Sequence, residues 1–246
     1  MKFNKTIIRK DNKLVNAKYD ISLIEMRLIL FAMSKIKFQQ NIPDKICINV
    51  EEFFNTFPCS NSKSLYNQLK QAVELLYERS LIIEDEEKLI TLRWISSTTK
   101  YKNNHGQIMF SFSDEIKPFL ENLKTNFTMY EIGNISKITK LFSIRLYEKC
   151  CQFRNTGFFV IDLLDLKRYL GIEGKYPHYK DFKKYILDPA EIEINKKTNL
   201  LIKIYPVKLK NKVIKLRIIL SEKENAIMFE SLKDISPHSS LKCDTR

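Results

Sequence analysis

The chain repeats itself. A shift of 118 residues lays Leu23, Arg27 and Leu28 on Leu141, Arg145 and Leu146, and the same shift lays Leu69, Ala72 and Leu76 on Leu187, Ala190 and Ile194. Between these anchors, Ile48 and Asn49 match Ile161 and Asp162 at a slightly shorter shift. Single matches of this kind are cheap, but a shared order is not. A chain that carries one plan twice is constrained to fold as two copies of one supersecondary unit. Its 246 residues, 44% of them apolar, have room for two such cores.

The plan itself follows from capping and periodicity. Ser22 with Glu25 three positions on forms a capping box, which opens a helix over Leu23 to Ile36 that is apolar on most sides. Ile46 to Ile48 reads as a short strand, Asn49 as a cap, and Val50 to Phe57 as a short helix stopped by Pro58. Ser62 then caps a longer helix, Lys63 to Arg79, with Leu65, Leu69, Ala72, Val73 and Leu76 at helical spacing. Leu81 to Glu84, Leu89 to Thr98 and Gln107 to Phe112 read as strands, and Ser113 caps a further helix through about Leu123. In the second half Asp162 caps a short helix ending at Gly171, a long helix runs from His178 to Thr198, and a strand pair follows. Helix, short strand, helix, long helix, hairpin is the order of a winged helix, a helix-turn-helix core followed by a β-hairpin wing. The expected fold class is α+β, with tandem duplicated winged-helix domains. The divisions fall at 1–19, a basic N-terminal arm; 20–128, the first domain; 129–221, the second; and 222–246, a C-terminal tail.

The charge is concentrated in the second copy. From Lys175 to Arg217 twelve Lys and Arg stand against four Asp and Glu, which places eight of the chain's thirteen net positive charges in that stretch. Lys180, Lys183 and Lys184 lie at i, i+3 and i+4 on one face of the long helix, beside its N-terminus, where the backbone also attracts anions. Phe182, Ile186 and Ala190 take the opposite, core-facing side. Lys208, Lys210 and Lys212 fall at and beside the expected wing tip, with Lys215 and Arg217 following. These positions, with His178 and Tyr179 at the start of the helix, are the candidate DNA contacts. In the first copy the corresponding polar face is Lys63, Asn67, Lys70 and Gln71, and the candidate wing turn carries Lys100 and Lys102. The chain has 33 Lys and 9 Arg, with no Arg between Arg168 and Arg217, so the reading helix lacks the side chain that best pairs with guanine. Pro189 interrupts that helix, either as a kink or as the first position of a fresh helix capped by Asp188.

Other classes fit poorly. The five cysteines show no Cys-x-x-Cys spacing, and His105, His178 and His238 are far apart in sequence, so neither a disulfide scaffold nor a metal site is expected. No glycine begins a Gly-x-x-x-x-Gly-Lys phosphate loop. No enzyme activity and no cofactor are expected. The longest apolar runs are far short of a membrane span, and the basic N-terminus is not followed by an apolar block, which points to the cytoplasm and to no membrane partner.

The second half also carries the block Asp181-Phe182-Lys183-Lys184-Tyr185-Ile186-Leu187-Asp188-Pro189-Ala190, which continues through Asn195 and Thr198 into Leu200 to Tyr205. With Asn16-Ala17, Glu25 to Leu28, Ser143 to Glu148 and Leu170-Gly171, it resembles the plasmid replication initiator family with two winged-helix domains, the iteron-binding type, over roughly residues 12–221. The resemblance implies a sequence-specific double-stranded DNA-binding protein that initiates plasmid replication at origin repeats and represses its own gene. It also implies that the first domain contacts neighbouring DNA or forms a homodimer, with the host replication initiator and replicative helicase as partners. The same fold and charges would serve a dimeric winged-helix transcriptional repressor with no replication role.

Overall fold

The structure, a computed structural model, describes residues 6–37, 40–59, 64–84, 86–99 and 106–225. The chain opens with β1 (Ile7–Asp11), α1 (Asn12–Asn16) and β2 (Lys18–Tyr19). The first winged-helix domain follows as α2 (Leu23–Ser34), β3 (Ile46–Asn49), α3 (Val50–Thr56), α4 (Leu65–Glu78), β4 (Ser80–Glu84), β5 (Leu89–Arg93), β6 (Ile95–Thr99) and β7 (Gln107–Phe112). After β8 (Phe127–Glu131) comes the second, with α5 (Leu141–Gln152), β9 (Phe158–Asp162), α6 (Leu163–Tyr169), α7 (Tyr179–Phe182), a π-helical turn (Lys183–Leu187), α8 (Asp188–Lys197), β10 (Leu200–Leu209) and β11 (Lys212–Glu222).

The sheets repeat as the helices do. In the first domain the short strand pairs with the second wing strand, which pairs with the first, in the order β3-β7-β6; in the second the order β10-β11-β9 is the same arrangement. Local sequence explains the starts. Ser22 Oγ accepts from the Glu25 amide at 3.4 Å while Glu25 accepts from the Ser22 amide at 2.6 Å, a closed capping box. Asn49 accepts from the Glu52 amide at 3.0 Å and caps α3. Asp162 stands at the equivalent position but makes no side-chain cap and faces Lys215 at 3.6 Å instead.

Several sequence expectations are corrected. Residues 7–19, read as an arm, are built into the body, since β1 pairs antiparallel with β8, Ile8 opposite Tyr130. Lys10 is buried in an ion pair with Glu148, which also accepts from the Tyr130 hydroxyl at 2.5 Å. The strand expected over Leu89 to Thr98 divides at Trp94. That indole is buried against the edge of Tyr19, with ring centres 5.1 Å apart, so β5 continues the β4 sheet while β6 turns away to pair with β7. Ser113 caps no helix. Its hydroxyl donates to the Arg93 carbonyl at 2.7 Å, and only a short 3-10 turn over Lys117–Phe119 forms beyond it, with Pro118 inside. Helix α4 begins at Leu65, and the expected cap Ser62 lies outside the described residues. A continuous core joins both domains, from Ile8 and Leu14 through Leu69 to Ile194 and Leu220.

Candidate nucleic-acid interface

The long helix of the second domain is continuous from its cap at His178 to Thr198, but it is not α-helical throughout. Pro189 has no N–H, and its ring crowds the preceding turn of an α-helix. The chain relieves this with one wider turn, in which the Asp188 amide donates to the Lys183 carbonyl, five residues back rather than four. Pro189 is therefore accommodated by a π turn, not by a fresh cap.

The wider turn also changes which side chains meet. In a regular α-helix residues three or four apart are neighbours, and residues five apart diverge. Here Lys183 and Asp188, five apart, close an ion pair at 2.6 Å, both about half exposed. Lys180 and Lys184 are exposed with no carboxylate partner among the described residues, the Lys184 ammonium 5.1 Å from the Tyr185 ring centre. Phe182, Ile186 and Ala190 are buried as expected. His178 is exposed. Tyr179 is half-buried against the core with its hydroxyl enclosed and unpartnered among the described residues; burial, then the Asp188 charge, pushes that hydroxyl's pKa up. Its ring anchors the start of the helix.

The wing is a long hairpin tied to this helix. Asn195 of α8 donates to the Ile202 carbonyl at 2.9 Å and accepts from the Ile202 amide at 2.6 Å, completing both backbone bonds that a neighbouring strand would supply. Glu191 accepts from the Ile204 amide at 3.0 Å and pairs with Lys203 at 2.8 Å. Neither Asn195 nor Glu191 is marked by its sequence as a residue that positions the wing; the polarity of Asn195 on a half-buried helix face is the one signal available. The hairpin turns through Lys210 and Asn211, with Lys210 in the left-handed region at φ 54°. Lys208, Lys210 and Lys212 are exposed around that tip, alongside exposed Val207 and Leu209. Lys215 lies lower, opposite Asp162, and Arg217 stacks over Phe158 with 5.4 Å to the ring centre.

In the first domain Asn67, Lys70 and Gln71 form an exposed stripe on α4, opposite buried Leu69, Ala72, Val73 and Leu76. Lys63, Lys100 and Lys102 lie outside the described residues. Among the described residues no three His, Cys, Asp or Glu come together to hold a metal ion, and no helix is long and apolar enough to cross a membrane.

What this arrangement offers chemically is a helix edge and a hairpin tip, held in fixed relation, that present mobile ammonium groups. Such a surface suits a polyanion with a groove wide enough for a helix. Of the acidic residues near it, Asp188 and Glu191 are paired with Lys183 and Lys203, whereas Asp181 in the first turn of α7 has no cation partner among the described residues.

Comparisons with known proteins bear on the family and the fold. The family model described as "Initiator Replication protein, WH1" matches residues 7–151, and that described as "Initiator Rep protein, WH2" matches residues 162–220. A "Replication initiation protein" of Escherichia coli is 25% identical over 203 residues, covering 79% of this chain and 63% of that protein. The "PI protein" of Escherichia coli is 27% identical over 132 residues, covering 47% of this chain and 42% of that protein. The chain thus spans less than two thirds of either relative. Among solved structures, the Pi initiator protein in complex with iteron DNA superposes with a TM-score of 0.77 at 21% identity, over 90% of this chain and 99% of that one. That likeness shows the fold, two winged helices in the same order.

Proposed function

Because the chain belongs to the family of initiator replication proteins, we propose that it is a sequence-specific double-stranded DNA-binding protein that initiates plasmid replication by binding tandem repeats at the origin. The observation that carries this reading is the joint presentation of Lys180 and Lys184 on the helix and Lys208, Lys210 and Lys212 on a wing fixed to that helix by Asn195 and Glu191. The helix enters the major groove and the wing lies along the adjoining phosphates, as the second domain's main reading contact. The fold it shares with the Pi initiator, whose solved complex contains iteron DNA, supports the choice of tandem repeats as the target. With lysine in place of arginine on the helix, specificity draws on thymine methyl groups and on DNA shape as well as on base hydrogen bonds.

In the same proposal the first domain, with Lys70 and its neighbours, assists on flanking DNA or pairs two copies of the chain. The protein acts in the cytoplasm, represses its own gene, and brings the host initiator and replicative helicase to the origin. The test is a competition between a duplex carrying the short repeats that flank the gene and a scrambled duplex of equal composition. Preference for tandem repeats supports the initiator, preference for a lone inverted repeat at the promoter supports a repressor, and equal affinity for both duplexes overturns sequence-specific binding.

A further inference from the structure

The two domains are joined by a peptide group that both of them hold. From the first domain, Arg27 on α2 donates through Nη2 to the Ile138 carbonyl at 2.7 Å. From the second, Glu193 on α8 accepts from the Thr139 amide at 2.7 Å and from the Thr139 hydroxyl at 2.8 Å. The Ile138 carbonyl and the Thr139 N–H belong to one planar unit, so a shift of either grip rotates the other. Arg27 is itself fixed, its guanidinium over the Phe57 ring at 5.3 Å. Glu193 is buried on the helix that carries the candidate reading face, and Lys197 braces it at 2.6 Å.

A second tether stands at the duplicated position. Arg145, 118 residues after Arg27, donates to the Ala17 carbonyl at 2.8 Å and the Tyr169 carbonyl at 2.7 Å, sandwiched between the Tyr19 and Tyr169 rings. Close by, Lys18 pairs with Glu173 at 2.7 Å, and Gly171 sits where a Cβ would meet the Tyr19 carbonyl oxygen at 3.0 Å. Each duplicated arginine therefore reaches out of its own domain to the segment that leads into the other. Two tethers at separate points hold the domains in the relative placement seen here.

We propose that Arg27 and Glu193 are positioning residues that, by gripping the Ile138–Thr139 peptide from opposite sides, set the separation and angle between the two helices that face DNA, α4 and α7–α8. The chain then measures the distance between two segments of one DNA site as well as reading each segment. This rests on the reading under Proposed function, with both domains on one duplex.

The experiment uses the full chain and duplexes carrying its preferred repeat, with two or four base pairs inserted between the segments that each domain protects. At about 34° of rotation per base pair, a 4-base-pair insertion turns the second segment by about 140° around the duplex axis, away from the face its domain can reach. The wild-type protein should lose at least about 10-fold in affinity, because simultaneous engagement is lost. Arg27→Ala and Glu193→Ala should bind the native repeat less tightly yet lose less than about 3-fold on insertion, with Arg27→Lys restoring part of the wild-type penalty. Two glycines inserted between Ile138 and Thr139 break the shared grip without deleting a side chain, and should act as the alanine variants do. Melting curves identify any variant that fails to fold. If folded variants keep the full wild-type penalty, the proposal falls. A wild-type protein that prefers the repeat but ignores insertions also overturns it and leaves the functional reading intact, whereas no preference for the repeat overturns that reading itself.

Discussion

Replacing Asp188 with asparagine should make the protein bind DNA more tightly. In the structure Asp188 neutralises Lys183 at 2.6 Å, beside exposed Lys180 and Lys184, which have no carboxylate partner among the described residues. Both members of the pair are about half exposed, so the bond contributes only about 0–1 kcal/mol to stability. Its loss should lower the melting temperature by no more than about 4 °C in a chain of this size. For binding the effect is larger. One freed ammonium adds one phosphate contact, which multiplies the association constant by roughly the salt concentration to the power −0.9. That is about 5-fold at about 0.15 M salt and about 15-fold at about 0.05 M, with the salt slope steeper by about 0.9. Fluorescence anisotropy of a labelled duplex, titrated at several salt concentrations, measures both quantities. The gain should disappear when Lys183→Ala is added to D188N. A folded D188N protein with unchanged affinity and slope, or with weaker binding, would refute the assignment of this face to DNA.

Other perturbations have equally definite outcomes. Lys184→Ala and Lys210→Ala should each reduce affinity several-fold and flatten the salt slope by about 0.9, whereas Lys223→Ala, exposed beyond the end of β11 remote from the wing tip and beside Asn199 past the C-terminal end of the helix, should leave both unchanged in the same titration. Asn195→Ala leaves the Ile202 amide and carbonyl without their partner, at a cost of about 1–3 kcal/mol read by denaturant unfolding. Lys10→Ala strands buried Glu148 and should cost about 3–5 kcal/mol, while the double replacement Lys10→Met with Glu148→Leu should recover only part of that loss, since the buried Tyr130 hydroxyl then lacks its acceptor. Burial alone would raise the Glu193 carboxyl, but hydrogen bonds led by that of Lys197, followed by those of Ser143 and Thr139, bring it down to about 2 from an ordinary 4.5. Its contribution is therefore full above about pH 4.5 and is lost as pH falls toward about 2, and Glu193→Gln should flatten that part of an acid-unfolding curve.

The repeated architecture was legible because duplication leaves its anchors at core positions. Leu69, Ala72 and Leu76 and their counterparts Leu187, Ala190 and Ile194 are all buried, and the matched strands pair in the same order in both sheets. The capping box of Ser22 with Glu25 and the Asn49 cap could be read directly, whereas Ser113 and Asp162, equally plausible by residue type, cap nothing. What the sequence hid was long-range. The pairing of β1 with β8 joins segments about 120 residues apart, and Lys10, a charged residue at a core position, disguised the strand as a solvated arm. The candidate site was half legible for a similar reason. Helical spacing put Lys180, Lys183 and Lys184 on one face, and all three are exposed there. The withdrawal of Lys183 into a pair with Asp188 depends on one backbone hydrogen bond moving from the fourth to the fifth residue, which Pro189 hinted at but spacing rules for an α-helix do not describe.

The central claim, that the helix and wing of the second domain read repeats on duplex DNA, is tested most directly by affinity measured against salt for the gene's flanking repeats and for scrambled DNA. Lys180, Lys184, Lys208, Lys210, Lys212 and Lys70 are exposed with no carboxylate partner among the described residues. If each meets a phosphate, the logarithm of affinity falls with the logarithm of salt at a slope of about −5. Repeats should win over scrambled DNA by about a thousandfold or more at physiological salt. Equal affinity for the two duplexes, or a slope near zero, would contradict the account.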